Sequence, residues 1–226
     1  MVWLCALAVL QSSTTNIEVE GWQVHVEPGL ISTRPNLWNE VKNELGCQLL
    51  QIRRVVPTGR LANLREVPIW ISLSNPQNKG AAFHASADWL SEHDLNPAMA
   101  GGLEIGNAEN FVTWTHEQPW MLLHELAHAY HFLFLPESYD NQEIKASYER
   151  AMASHRYDTV LYCNGSKKKH YACTNPAEFF AEMTEAYFGV NDFFPFVNAK
   201  LRTSDPDTYA LMVTIWGVPA RSAPKD

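Results

Sequence analysis

An α+β fold is predicted for this 226-residue chain, and three observations carry the prediction. Short β-patterned runs fall in the first half. Helical apolar periodicity dominates after Pro119. No internal repeat, low-complexity tract or Gly/Ser linker divides the chain. Hydrophobic residues make up 46% of the sequence, enough for the core of a single domain over residues 16–226. The expected architecture is a small mixed sheet packed on a central helix, with a second strong helix downstream.

The segment "GWQVHVEPGLI" alternates and predicts a first strand. Apolar residues at helical spacing, from Leu37 through Val41, Leu45 and Leu49 to Ile52, predict a helix over "RPNLWNEVKNELGCQLLQIRRVV". Val67 to Leu73 is β-branched and aromatic and ends at Asn75-Pro76, so a strand is expected there. "AAFHAS" after Gly80 fits either a strand or an irregular loop. Leu103, Glu104, Ile105 and Gly106 predict a strand before a turn. Pro119 suits the first turn of a helix that runs until Pro136. A polar helical excursion follows, and then a helix from Asn175-Pro176 with Gly189 as its C-cap. "DPDTYALMVTIWG" closes the fold as a short helix.

The terminus "MVWLCALAVLQSSTT" has an apolar run from Val2 to Leu10, too short for a bilayer, followed by small polar residues. That order predicts a signal peptide over residues 1–15 and a secreted protein. It lacks a basic start and a clean small-x-small cleavage site, so a truncated gene start or a buried first strand remain alternatives. Cys5 would leave with the signal. Cys163 and Cys173 bracket "CNGSKKKHYAC" at a spacing that a disulfide could close, leaving Cys47 unpaired. Two reduced thiols in a cytosolic loop are the alternative. A net charge of -8 argues against nucleic acid and anionic lipid as partners, and the basic run Lys167–Lys169 is too short to reverse that. No later segment could span a membrane, and nothing points to an oligomer, so a monomer is the default.

The chemistry lies in "MLLHELAHAYHFLFL". On a helix His124 and His128 stand one turn apart on one face and can aim two imidazoles at one point, as two zinc ligands do. Glu125 lies to the side, where its carboxylate can reach a water held by the metal without binding the metal itself. The neighbours Met121, Leu122, Leu123, Leu126, Ala127 and Phe132 mark a buried helix. Burying each neutral polar group there without a partner would cost roughly 2–7 kcal/mol, and a charge more. One cation and its water would satisfy both imidazoles and the carboxylate. His131 falls on much the same face and is expected to be structural or to support the ligands. A catalytic zinc site needs a third protein ligand, and "NPAEFFAEMTEAYFG" offers Glu178 and Glu182 on one helical face. One would bind the metal, and the other would accept a hydrogen bond from the far nitrogen of a ligand histidine.

With "HELAHAYH" and "YACTNPAEFFAEMTEAYFG" a few tens of residues apart, the sequence resembles the zinc metallopeptidases related to the catalytic domain of anthrax lethal factor. These are zincin-like, gluzincin-type enzymes, and the resemblance covers roughly Trp120 to Gly189. It implies a zincin-like fold, one zinc per chain, Glu178 as third ligand, Glu182 bracing the site and Tyr171 donating to the oxyanion. Cys173, between Tyr171 and Glu178, is a departure that could alter the loop path. The expected activity is hydrolysis of peptide bonds in a peptide or protein substrate. Glu125 would act as general base, with the substrate extended along an edge strand at Leu103–Gly106. Two rivals remain. One is a catalytically silent zinc-binding interaction protein on a peptidase scaffold. The other is a metal-free helical protein whose histidines are core residues.

Overall fold

The computed structural model describes residues 14–220. The predicted signal peptide, with Cys5, falls outside that range except for Thr14 and Thr15. The described chain opens with a hairpin, β1 (Thr15–Val19) and β2 (Trp22–Val26). Its two-residue turn has Glu20 at φ 53° and Gly21 at φ 94°, the paired positive values that match the twist of tight hairpins. Strand β1 lies N-terminal to the run that sequence patterning identified, and "EPGLI" turns into a short helix α1 (Pro28–Thr33) rather than prolonging β2. The long helix α2 (Pro35–Val55) buries Leu37, Val41, Leu45, Leu49 and Ile52, the periodic face expected of it.

Helix α3 (Thr58–Arg65) leads to β3 (Ile69–Ile71), β4 (Ala81–Phe83), helix α4 (Ala87–Glu92) and β5 (Leu103–Ile105). The sheet order is β1-β2-β3-β5-β4. The inner pairs β2–β3 and β3–β5 are parallel, whereas β1 and β4 are antiparallel additions at the two edges. The sheet is therefore mixed, and the fold is α+β. The expectation that Leu103–Gly106 forms an edge is corrected here. β5 is an inner strand, buried at all three positions and bonded on both sides. Its residues are too apolar for an edge, and the one charge among them, Glu104, is 1% exposed. The edge next to β5 belongs to β4, the "AAF" segment.

After helix α5 (Ala108–Trp114) come α6 (Met121–Phe134), α7 (Gln142–Ala153), the small hairpin β6 (Val160–Leu161) with β7 (Lys167–Lys168), α8 (Pro176–Phe188), α9 (Asn198–Ser204) and α10 (Pro206–Trp216). Helices α6 and α8 pack against each other, and α6 also lies under β4. None of the described helices is long and apolar enough to cross a membrane. The predicted Cys163–Cys173 disulfide is not formed, and both thiols are free. Cys163 is exposed beyond β6, whereas the Cys173 thiol is turned inward and donates to the Tyr157 carbonyl at 3.6 Å. Burial raises the Cys173 pKa, so it is held as a thiol. Cys47 is free and exposed.

Candidate metal centre

Two helix ends set the geometry. α8 begins at Asn175, whose side chain accepts from the Ala177 and Glu178 amides at 2.9 Å, with Pro176 in its first turn. α6 lacks a side-chain N-cap, but buried Gln48 of α2 accepts from the Leu122 N–H at 3.2 Å. The two helices are locked where α8 ends and α6 begins. A Cβ on Gly189 would lie 2.1 Å from the Trp120 indole, so only glycine admits this approach.

His124 and His128 project from α6 towards Glu178 of α8. The Glu178 Oε2 lies 3.1 Å from His124 Nε2 and 3.3 Å from His128 Nε2, and the three donor atoms lie within 4.8 Å of one another. For a tetrahedral zinc site with bonds of about 2.0–2.2 Å, neighbouring donors stand about 3.3–3.6 Å apart. These donors therefore fit a metal ion in type and in spacing.

The far side of His124 is also fixed. Its Nδ1–H donates to Glu185 Oε1 at 2.7 Å, which turns Nε2 towards the cleft. Without a cation, Nε2 would present a lone pair to a carboxylate oxygen, so that position attracts a proton. Burial works against protonation, but the bonds to Glu178 and Glu185 outweigh it and raise the His124 pKa well above its usual value. Against the opposing effect of burial, the hydrogen bonds and charges of His124 and His128 hold Glu178 well below the carboxylate range. Burial pushes Glu185 up to about 7, and burial together with the Glu185 charge pushes Glu182 well above its usual range. Three carboxylates thus face two imidazoles, an excess of acceptors that a cation would balance.

The brace predicted for Glu182 falls instead to Glu185. The Glu182 Oε1 stands 3.8 Å from His124 Nδ1, and its Oε2 accepts from Asn191 Nδ2 at 2.7 Å. Along a helix, position i+7 returns closer to the starting face than i+4 does, which brings Glu185 under Glu178. That spacing was present in the sequence as a readable signal.

Glu125 lines the cleft beside this group, and its Oε2 accepts from the Phe83 N–H of β4 at 3.0 Å. Strand parity explains the contact. Gly80 and His84 pair with β5 through Gly80 O to Gly106 N and His84 N to Gly102 O. In the same register, Ala82 faces Glu104. The backbone groups of Ala81 and Phe83 therefore point out from the free edge. Tyr171 lies in a short 3-10 turn (Tyr171–Cys173), about half exposed, with its ring centroid 6.4 Å from that of His124. The preceding His170 is buried, stacks on Phe193 at 4.8 Å, and accepts from the Ala172 amide, which anchors the turn.

His131 is fully buried, edge-on to Tyr139 and Phe180, with neither ring nitrogen hydrogen-bonded, and it belongs to neither group of candidate ligands. Burial, with His128 nearby, lowers its pKa to about 4. It is a neutral core residue. His124, Glu125, His128, Tyr171, Glu178 and Glu185 line one cleft of about 740 Å³, walled by β4 on one side and by α8 and the Tyr171 turn on the other.

Compared with protein families, curated proteins and solved structures, the chain matches none. Fold and site by themselves define an α+β protein with a part-buried His/Glu group that could hold a metal ion. A second group, His124 with Glu182 and Glu185, shares His124 with the first and lies behind it.

Proposed function

We propose that this protein is a zinc-dependent endopeptidase. The observation that carries the reading is the convergence of His124 Nε2, His128 Nε2 and Glu178 Oε2 beside an uncoordinated Glu125, in a cleft bordered by an open strand edge. Two imidazoles and a carboxylate form the donor set of catalytic zinc sites that keep one position open. The likeness of "HELAHAYH" and "AEFFAE" to the lethal factor peptidases adds to the same reading.

A bound zinc ion would supply Lewis acidity, polarising a peptide carbonyl and acidifying water. The remaining steps fall to residues of this chain. Glu125, oriented by the Phe83 N–H, takes a proton from the attacking water and passes it to the leaving amine. An extended peptide pairs with the outward N–H and C=O of Ala81 and the C=O of Phe83, in place of the Leu103–Gly106 edge expected from sequence. Tyr171 donates a hydrogen bond to the developing oxyanion. Export of a monomeric enzyme belongs to the same proposal.

Metal content should be measured by elemental analysis on wild type, Glu125→Gln and Glu178→Ala, with cleavage of a mixed peptide library as the second readout. The reading expects about one zinc per chain in wild type and Glu125→Gln, loss of zinc in Glu178→Ala, and cleavage by wild type alone. Zinc without cleavage in wild type would replace it with a silent zinc-binding interaction protein. No zinc would leave the histidines as core residues.

A further inference from the structure

We infer that Tyr139, held against His131 and Phe132 of α6, is a second hydroxyl donor to the reacting carbonyl, while Tyr171 faces it from beside His124. This inference rests on the peptidase reading. Tyr148 donates to the Cys173 carbonyl, Tyr157 to Asp205, Tyr162 to Glu117 and Tyr187 to the Gly217 carbonyl. Those four hydroxyls join distant parts of the chain. The two tyrosines that line the metal cleft, Tyr139 and Tyr171, make no hydrogen bond to protein among the described residues, although Glu125, Glu178, Glu182 and Glu185 line the same cleft. A phenol aimed into a cleft without a protein partner is a donor held for a ligand.

Of the two, Tyr139 is the more firmly held. Its ring stands edge-on to His131 at 5.1 Å and 86°, and tilted against Phe132 at 5.1 Å. His131 and Phe132 belong to α6, the helix that carries both histidine ligands. The ring is therefore fixed relative to the metal group, whereas the Tyr171 ring is 48% exposed on its turn. The backbone that delivers Tyr139 is strained. Glu137 (φ 61°, ψ 12°) and Ser138 (φ 53°) are consecutive non-glycine residues in the left-handed region, and the 3-10 turn Ser138–Asp140 follows at once. Such conformations persist where surrounding structure enforces them and gather at functional sites. Here the reversal after Pro136 folds the chain back against α6, setting the Tyr139 ring against His131 and Phe132 at the cleft. Burial, and then the charges of Glu125 and Glu178, raise the Tyr139 pKa, so the group stays a protonated donor. It keeps its proton throughout, and its contribution is a hydrogen bond that strengthens as the carbonyl oxygen gains charge.

The test uses zinc-loaded wild type, Tyr139→Phe, Tyr171→Phe and the double variant, with a peptide phosphonamidate as oxyanion mimic and the product peptide as ground-state control. Zinc content and thermal midpoint should be the same in all four proteins. Tyr139→Phe should weaken phosphonamidate binding by about 100-fold and lower kcat by a similar factor. Binding of the product peptide and KM should change by less than about threefold. A merely structural tyrosine would move the thermal midpoint and both ligands together. Wild-type phosphonamidate affinity in Tyr139→Phe, with zinc retained, overturns the role of Tyr139 and leaves the peptidase reading intact. A wild type that binds zinc but neither binds the phosphonamidate nor cleaves peptide overturns both.

Discussion

Two buried carboxylate networks lie on either side of β4, and they are built on opposite principles. On the sheet, Glu104 is 1% exposed and accepts from His84, Asn78, Asn75 and Ser72 at 2.9–3.3 Å. Burial would raise its pKa, but those donors outweigh burial and hold it below the usual range. Between the helices, Glu178, Glu182 and Glu185 crowd around His124 and His128 with too few donors, and the pKa values of Glu182 and Glu185 rise. A buried acid whose acceptors are saturated is part of the framework, and here it ties the Ser74–Gly80 loop to the sheet. A buried acid group with surplus acceptors is complete only when a cation joins it.

Substitution separates the two. Glu104→Ala should destabilise the protein by about 3–5 kcal/mol, because it leaves several buried donors without an acceptor. Urea unfolding measures that loss, and the folded fraction should keep its full zinc content. Glu185→Gln should do the reverse, weakening zinc affinity by about 10–100-fold in a competition with a chelating dye. The zinc-free form of that variant should be at least as stable as wild type, because a raised buried carboxylate has been removed. Equal losses of stability in both variants would erase the distinction.

The pH dependence should also split. The folded pKa of Glu104 is depressed, so its contribution is present above the unfolded carboxylate value and is lost as pH falls through the folded one. The folded pKa of Glu185 is raised to about 7, so its contribution is present at acid pH and is lost as pH rises through about 7. Zinc-free protein should therefore show a falling thermal midpoint from about pH 5 to 8 that is reduced in Glu185→Gln and abolished by zinc. The smallest effect is expected at Glu137→Gly, which relieves a left-handed residue and should stabilise by about 1 kcal/mol at most. If the strained turn holds Tyr139 in place, that gain should come with a lower kcat.

Much of this was legible in the sequence. Helical periodicity located α2, α6 and α8 because a buried face recurs with the helical turn, and Asn175-Pro176 announced its helix start. His124, His128 and Glu178 were found because spacing on one helix, together with the resemblance, fixes which residue types can converge. What failed was everything that depends on neighbours in space. A three-residue strand such as Leu103–Ile105 carries no mark of being inner or outer, and "AAFHAS" is too short to declare itself the edge. Glu185 is a different case: its i+7 spacing from Glu178 was readable, but only the packing of α8 on α6 shows that it, and not Glu182, bonds His124 Nδ1. The cysteine spacing permitted a bridge, but Cys173 packs inward while Cys163 faces solvent. Tyr139 was invisible because its placement comes from a backbone reversal without a glycine.

The contact of Gly189 with the Trp120 indole carries one last consequence. It sets the gap between the helix bearing the two imidazoles and the helix bearing the third donor, much as a shim sets the opening of a vice. Glu178 lies at the opposite end of α8 from that shim, so a wedge as small as one methyl group would be magnified along the helix. Ionic radius would then become a selectable property: graded substitutions at position 189 should shift the preference from zinc towards larger divalent ions, without altering any donor atom.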